Sequence, residues 1–145
     1  MGVIALHRKV SKLIPELPRL VEETLNELKD YIIELNQQQL ADGYRSDGNL
    51  MPKYKPISIQ IKNAKGKPTF SGRIALYDTG SFWDKMLISI ENGKIKFYST
   101  DTKAEMLENE YGSTIYGVGN IYMEALAEKA NPILYKKIID FLKQA

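Results

Sequence analysis

The sequence predicts an α+β protein in which a long N-terminal helix and a C-terminal helix pack on a small antiparallel β-sheet with a central hairpin. Three observations support this prediction. Apolar residues recur at helical spacing after Pro18, Asn92-Gly93 separates two short β-rich runs, and helical spacing returns near the C-terminus. The length of 145 residues fits one domain, which we expect to span 1–145.

The long N-terminal helix is predicted to begin at Pro18 and to run through about Gln39. Proline suits the first turn of a helix because its φ is fixed and its missing N–H would have no partner there. Apolar residues then recur three, four and seven positions apart, at Leu20, Val21, Leu25, Leu28, Ile32 and Leu35. Residues 1–16 are expected to form an extended N-terminal arm in front of this helix.

Residues 41–72 are predicted to form a long loop region, because glycine, proline and aspartate punctuate its first half. Within it, residues 57–62 alternate between apolar and polar side chains, which favours a strand. A short helix ending at Gly66 is the competing interpretation.

The hairpin prediction rests on residues 85–90 and 94–99, which flank Glu91-Asn92-Gly93. A second helix is expected to begin near Asp101 or Thr102 and to end before Gly112. The C-terminal apolar residues follow helical spacing, and Pro132 is expected to kink that helix or to split it in two.

Composition excludes several kinds of chemistry. The chain contains no cysteine, so disulfides, thiolate nucleophiles and cysteine metal sites are excluded. His7 is the single histidine, which removes an ordinary Ser-His-Asp triad and a multi-histidine metal site within one chain. The sequence also predicts no secretory signal and no membrane partner, since no apolar run approaches the roughly 18–20 residues that cross a bilayer.

The net charge of +2 conceals an uneven distribution. Between Asp47 and Asp78 there is no acidic residue, whereas six basic residues lie there. We call these six the basic segment: Lys53, Lys55, Lys62, Lys65, Lys67 and Arg73. The segment is interpreted either as a surface that faces DNA or an acidic partner, or as a solvated loop.

Asp78-Thr79-Gly80 follows an apolar stretch and has two incompatible interpretations. In aspartic proteases such a triplet carries the catalytic carboxylate, and a single copy must dimerise because two carboxylates share one proton. Against that, the first half of the chain before Asp78 is strongly helical, whereas such proteases are nearly all β. The favoured interpretation is a structural turn, in which Asp78 bonds nearby backbone amides as an Asx turn or helix cap and Gly80 supplies permissive dihedral angles.

Asp101, Glu105 and Glu108 lie three and four residues apart and could share one face of a helix. Metal binding by this group is one interpretation. A solvated helix face is the more common meaning of such a pattern.

Taken in order, the segments resemble those of the phage virion-morphogenesis family, whose members complete tails or join heads to tails. The resemblance spans roughly residues 17–143 and lies in the ordered series rather than in one motif. The matching pieces are the long helix, residues 39–43, a loop over 48–54, residues 66–69, residues 74–82 with Asp78-Thr79-Gly80, the hairpin, residues 110–112, and residues 115–119 before a C-terminal helix. At residues 110–112 many members instead carry His or Glu, a small residue and Gly, which leaves the subfamily open.

This resemblance implies a structural virion protein of a tailed phage, without catalytic activity, cofactor or metal. Such a protein would be a neck, tail-completion or tail-terminator component that forms a homo-oligomeric ring and contacts portal, connector or tail proteins. It would be assembled in the cytoplasm of the host bacterium, and its basic segment would face either genome DNA or a neighbouring protein. The alternatives are a homodimeric aspartic protease that uses Asp78, and a DNA-binding module associated with packaging.

Overall fold

The computed structural model, which describes residues 2–144, shows the predicted α+β architecture. Seven α-helices and two strands follow one another along the described chain. Their bounds are α1 (Val3–Leu13), α2 (Leu17–Glu27), α3 (Lys29–Ala41), α4 (Pro56–Ala64), α5 (Ser81–Asp84), β1 (Met86–Glu91), β2 (Lys94–Ser99), α6 (Ala104–Tyr111) and α7 (Asn120–Gln144). Short 3-10 turns cover Ile14–Glu16 and Ser113–Ile115.

The extended arm predicted for residues 1–16 is wrong, because Val3–Leu13 is helical. Leu13 is buried and α1 contacts α7, so tertiary packing supports this helix. Pro15 and Pro18 do not prevent this helix, because each lies in the first turn of a later helical segment, where proline is tolerated.

The predicted long helix is confirmed, with one interruption. It starts at Leu17 and continues to Ala41, but Leu28 has φ −105° and ψ 15° and separates α2 from α3. The Leu28 carbonyl still accepts a hydrogen bond from the N–H of Ile32 at 2.9 Å. Hydrogen bonding therefore continues into α3 despite the local distortion at Leu28.

The strand predicted over residues 57–62 is wrong, and the competing short helix is confirmed as α4. Pro56 occupies its first turn, and Gly66, with φ +68°, follows its end. The N–H of Lys67 then bonds the carbonyl of Lys62 at 2.8 Å, which closes the helix in the manner of a Schellman motif. The isoleucines of this segment alternate with polar residues, as they would in a strand. In α4, however, Ile57 and Ile61 are exposed and do not pack on a sheet.

The hairpin is confirmed, with an antiparallel register that pairs Met86 with Ser99 and Glu91 with Lys94. Asn92 and Gly93 both have positive φ, as the favoured two-residue turn requires. Met86, Ile88 and Ile90 are buried on the inner face of β1.

Two groups of buried residues form the core. One group surrounds Leu40, Met51, Phe82 and Ile115, and the other joins Ile32 and Leu35 of α3 to the hairpin and to α7. Ile33 packs against both groups. Helix α3 therefore connects the hairpin side of the molecule with the segment around Asp78.

The second half of the chain largely follows its prediction. Helix α6 begins at Ala104, slightly later than expected, and ends before Gly112 as expected. Helix α7 is not split, because it continues through Pro132. Pro132 leaves the carbonyl of Glu128 without its helical donor, and both residues are exposed, so water can reach this part of the helix. Within residues 2–144, no helix is both long enough and apolar enough to cross a membrane.

Candidate functional site around Asp78-Thr79-Gly80

Residues 78–80 form a tight corner that leads into α5 and β1. Gly80 has φ +89° and is buried, and a Cβ at this position would lie 2.9 Å from the hydroxyl oxygen of Tyr77. The dihedral angle therefore favours glycine, and any other residue would also force the side chain of Tyr77 to move. The predicted role of Gly80 is confirmed.

The hydroxyl of Thr79 makes the side chain–backbone contact that was expected of Asp78. Its oxygen accepts a hydrogen bond from the N–H of Ser81 at 3.3 Å, and it lies 3.1 Å from the Ser81 hydroxyl oxygen. This contact stabilises the first turn of α5. The prediction that Asp78 itself bonds backbone amides is wrong.

Asp78 instead forms an ion pair with Lys67, with 2.5 Å between Oδ1 and Nζ. Its side chain is 63% exposed. The hydrogen bond from Lys67 lowers the pKa of Asp78, so the carboxyl group is ionised at neutral pH. A protease dyad needs the reverse arrangement, in which two adjoining carboxyl groups share one proton.

Three aromatic side chains, those of Phe70, Tyr77 and Trp83, pack against one another beside the corner at residues 78–80. The ring of Trp83 stacks on Phe70, with 5.4 Å between centroids, and meets the edge of Tyr77 at 4.9 Å. The indole N–H of Trp83 donates to the carbonyl of Ala75 at 2.9 Å. This cluster was not predicted from the sequence, although Trp83 is the single tryptophan and follows Phe70 and Tyr77 closely in the chain, which was a usable signal.

The basic segment divides into two groups. Lys62, Lys67 and Arg73 are half-buried and make contacts within the chain. The ammonium of Lys62 donates to the carbonyl of Tyr77 at 2.9 Å, and Arg73 donates to the carbonyl of Met51 at 2.8 Å. These three residues stabilise the corner and its supporting loop.

The other three residues of the basic segment are exposed: Lys53, Lys55 and Lys65. Their side chains are accessible to a partner, so any interaction surface of the basic segment depends mainly on these three. The sequence did not distinguish them from the structural group.

A small pocket of about 230 Å³ adjoins the corner. Its lining includes three tyrosines, two lysines and Asp101, namely Tyr54, Tyr77, Tyr111, Lys62, Lys103 and Asp101. Asp101 is buried, its Oδ1 lies 4.0 Å from Lys85 Nζ, and its Oδ2 has no hydrogen-bond partner among the described residues.

Asp101, Glu105 and Glu108 do not share one helix face, since Asp101 is buried before α6 begins and both glutamates are exposed. Across residues 2–144, the structure brings together no three His, Cys, Asp or Glu side chains suited to hold a metal ion.

The segment over residues 115–119 is held by two buried amide side chains of α3. Asn36 donates to the carbonyl of Ile115 at 2.9 Å and accepts from the N–H of Gly117 at 2.9 Å. Gln39 donates to the carbonyl of Gly117 at 3.0 Å and accepts from the N–H of Gly119 at 2.7 Å. Neither residue was predicted from the sequence, because polar residues on an amphipathic helix are usually assigned to its solvent face.

No protein-family model, curated protein or solved structure matches this chain. The resemblance to phage virion-morphogenesis proteins therefore stays a hypothesis, which must be judged on the geometry of the molecule.

We expect Asp78→Asn to change the free energy of unfolding by less than about 1 kcal/mol, because the ion pair is largely exposed to solvent. The folded-state pKa of Asp78 is lowered, so its contribution is present above the unfolded pKa and is lost as pH falls through the folded pKa. Urea unfolding of both proteins at pH 7 and pH 2.5 measures this, and the small difference at pH 7 should shrink at pH 2.5. A loss of several kcal/mol at pH 7 would contradict the exposed geometry.

Proposed function

We propose that this protein is a structural virion component of a tailed phage, in the neck, tail-completion or tail-terminator position. It would form a homo-oligomeric ring between the portal or head and the tail. The observation that carries the proposal is the geometry of Asp78, which is ionised, exposed and paired with Lys67 at a corner that leads into the hairpin. This geometry suits an architectural role better than a catalytic one.

Exposed apolar residues at separate places on the molecule support assembly into an oligomer. Leu87 and Tyr98 face each other on the outer side of the hairpin, and Ile121 and Tyr135 are exposed on α7. Such residues are suited to protein contacts, tyrosine in particular, because it combines an apolar ring with a polar hydroxyl group. Rings arise when different faces of identical subunits meet and the rotation closes.

The exposed lysines of the basic segment give the proposed ring a charged surface. Lys53, Lys55 and Lys65 would face either genome DNA in the lumen or an acidic neighbouring portal, connector or tail protein. A sequence-independent attraction to phosphate would be sufficient for DNA that only passes through.

Electron microscopy tests the proposal. Purified protein is expected to form rings in negative stain, and a gold-labelled antibody to it should mark the neck or the tail end of phage particles that carry its gene. Particles without the gene are the control for the antibody. Labelling absent from intact and disrupted particles would overturn the virion role.

Two assays separate the alternatives. A homodimeric aspartic protease would cleave an unfolded protein substrate at acid pH and would lose all cleavage on Asp78→Asn, whereas a ring protein would assemble equally well with that change. A DNA-binding packaging module would retard duplex DNA at low salt. The retardation would be lost when Lys53, Lys55 and Lys65 are changed to glutamine, and kept when the exposed Lys94 and Lys96 of the hairpin are changed instead.

A further inference from the structure

Helix α1 exposes an apolar stripe although it is attached to the rest of the protein. The side chains of Val3 and Ile4 are 85% and 73% exposed, and Leu6 and Val10 are also exposed. Val3, Leu6, Val10 and Leu13 recur at helical spacing, and the last of these is buried. The stripe is therefore anchored at its C-terminal end and open to solvent along its first two turns.

The charge on this helix has one sign. Residues 2–15 contain Arg8, Lys9 and Lys12 but no aspartate or glutamate. All three basic side chains belong to α1. Arg8 and Lys12 are exposed and follow the exposed Ile4 at intervals of four residues, so these three side chains share one face of the helix. A partner for α1 should therefore combine an exposed apolar group with several carboxylates.

The outer face of α6 has this combination. Glu105, Glu108 and Glu110 are exposed, and this helix contains no lysine or arginine. Met106 is 56% exposed between them, beside a shallow concavity that Thr102 and Asn109 also line. Methionine adapts well to an apolar partner because its side chain is flexible and polarisable.

The two helices pack on different parts of the molecule. Helix α1 contacts α7, whereas α6 packs through Ala104 and Leu107 on the core group around Leu40 and Ile115. A contact between α1 of one copy and α6 of another would therefore join unlike faces and leave one face of each kind available for a further copy. Contacts of this kind produce closed rings or open chains.

We propose that the face of α1 formed by Ile4, Arg8 and Lys12 docks on the acidic face of α6 in a second copy of this chain. Ile4 contacts Met106, while Arg8 and Lys12 pair with Glu105 and Glu110. The proposal does not depend on the virion role, because it follows from the charge and exposure of the two helices. The acidic face favours a copy of the chain over an anionic lipid surface, which would attract α1 equally but would leave α6 without a partner.

Charge reversal tests this contact by sedimentation velocity at low salt and at 0.5 M salt. Wild-type protein is expected to associate at low salt and to dissociate at 0.5 M salt, because exposed ion pairs are screened. One variant carries Arg8→Glu, Lys9→Glu and Lys12→Glu, and another carries Glu105→Lys, Glu108→Lys and Glu110→Lys. Each should be monomeric alone, because both of its helices then carry the same sign of charge.

Mixing the two variants provides the decisive measurement. The mixture is expected to associate, since each α1 then meets an α6 of opposite charge. Lys53→Glu with Lys55→Glu and Lys65→Glu is the matched control, which reverses three exposed lysines elsewhere and should associate like wild type. Circular dichroism should show native helix content for all variants.

Three outcomes would overturn the proposed contact. Wild-type protein that stays monomeric at high concentration and low salt would exclude it. Association that survives both charge reversals would assign self-assembly to other surfaces, and the proposed ring would remain. Binding of monomeric wild type to vesicles of phosphatidylserine and phosphatidylcholine, lost on reversal of α1 alone, would assign this helix to a membrane surface.

Discussion

Asn36→Leu is expected to lower the free energy of unfolding by about 2–5 kcal/mol, because one buried and one partly buried backbone group would lose their hydrogen-bond partners. Asn36 is fully buried and bonds the carbonyl of Ile115 and the N–H of Gly117. Leucine has a similar shape but neither a donor nor an acceptor. Urea denaturation monitored by the fluorescence of Trp83 measures the difference.

Asn26→Leu is the matched control for this substitution. Asn26 lies on the exposed side of α2, where its amide bonds the carbonyl of Glu22 within the same helix. The free energy of unfolding should change by no more than about 0.5 kcal/mol there. Equal effects of the two substitutions would contradict the role assigned to Asn36.

Gly119→Ala is expected to lower the free energy of unfolding by about 2–3 kcal/mol, since it forces a methyl group into a filled space. A Cβ at this position would lie 2.9 Å from the carbonyl oxygen of Ser46 and 3.1 Å from Oε1 of Gln39. The backbone of Ser46 cannot retreat freely, because its N–H bonds the carbonyl of Thr114 at 2.9 Å. The same oxygen of Gln39 accepts the hydrogen bond from Gly119, so this bond would also be weakened.

Gly48→Ala separates the effect of crowding from that of backbone strain. Gly48 has φ +86°, and no heavy atom of the described chain beyond its sequence neighbours would come within 4 Å of its Cβ. Its substitution should destabilise the protein by about 1 kcal/mol through strain alone. If Gly48→Ala proved as damaging as Gly119→Ala, the close approach at Ser46 would not be the cause.

Local patterns were sufficient to predict the elements that depend on local physics. Asn92 and Gly93 adopt the positive φ angles of a tight hairpin, and those angles follow from residue type and from the pairing of the adjoining strands. The long helix was predictable because its apolar residues recur at helical spacing, and most of them pack on the core. The alternating isoleucines of α4 were ambiguous, because a short apolar alternation fits a strand as well as an exposed helix that begins at proline.

The corner at residues 78–80 was predicted in part. Gly80 was identifiable, because a turn that needs positive φ selects glycine. The ion pair of Asp78 with Lys67 was not identifiable, because the two residues lie eleven positions apart and meet only when the loop folds back. The division of the basic segment into structural and exposed residues depends on the same loop.

The sequence by itself determined the α+β class, the hairpin and the need for glycine at the corner, because each follows from periodicity or from the dihedral angles that a residue type allows. Only the tertiary structure decided that α1 is helical, that Asn36 and Gln39 hold residues 115–119, and which lysines remain exposed. These features depend on contacts between residues far apart in the chain, and neither residue type nor spacing specifies which of those residues will meet.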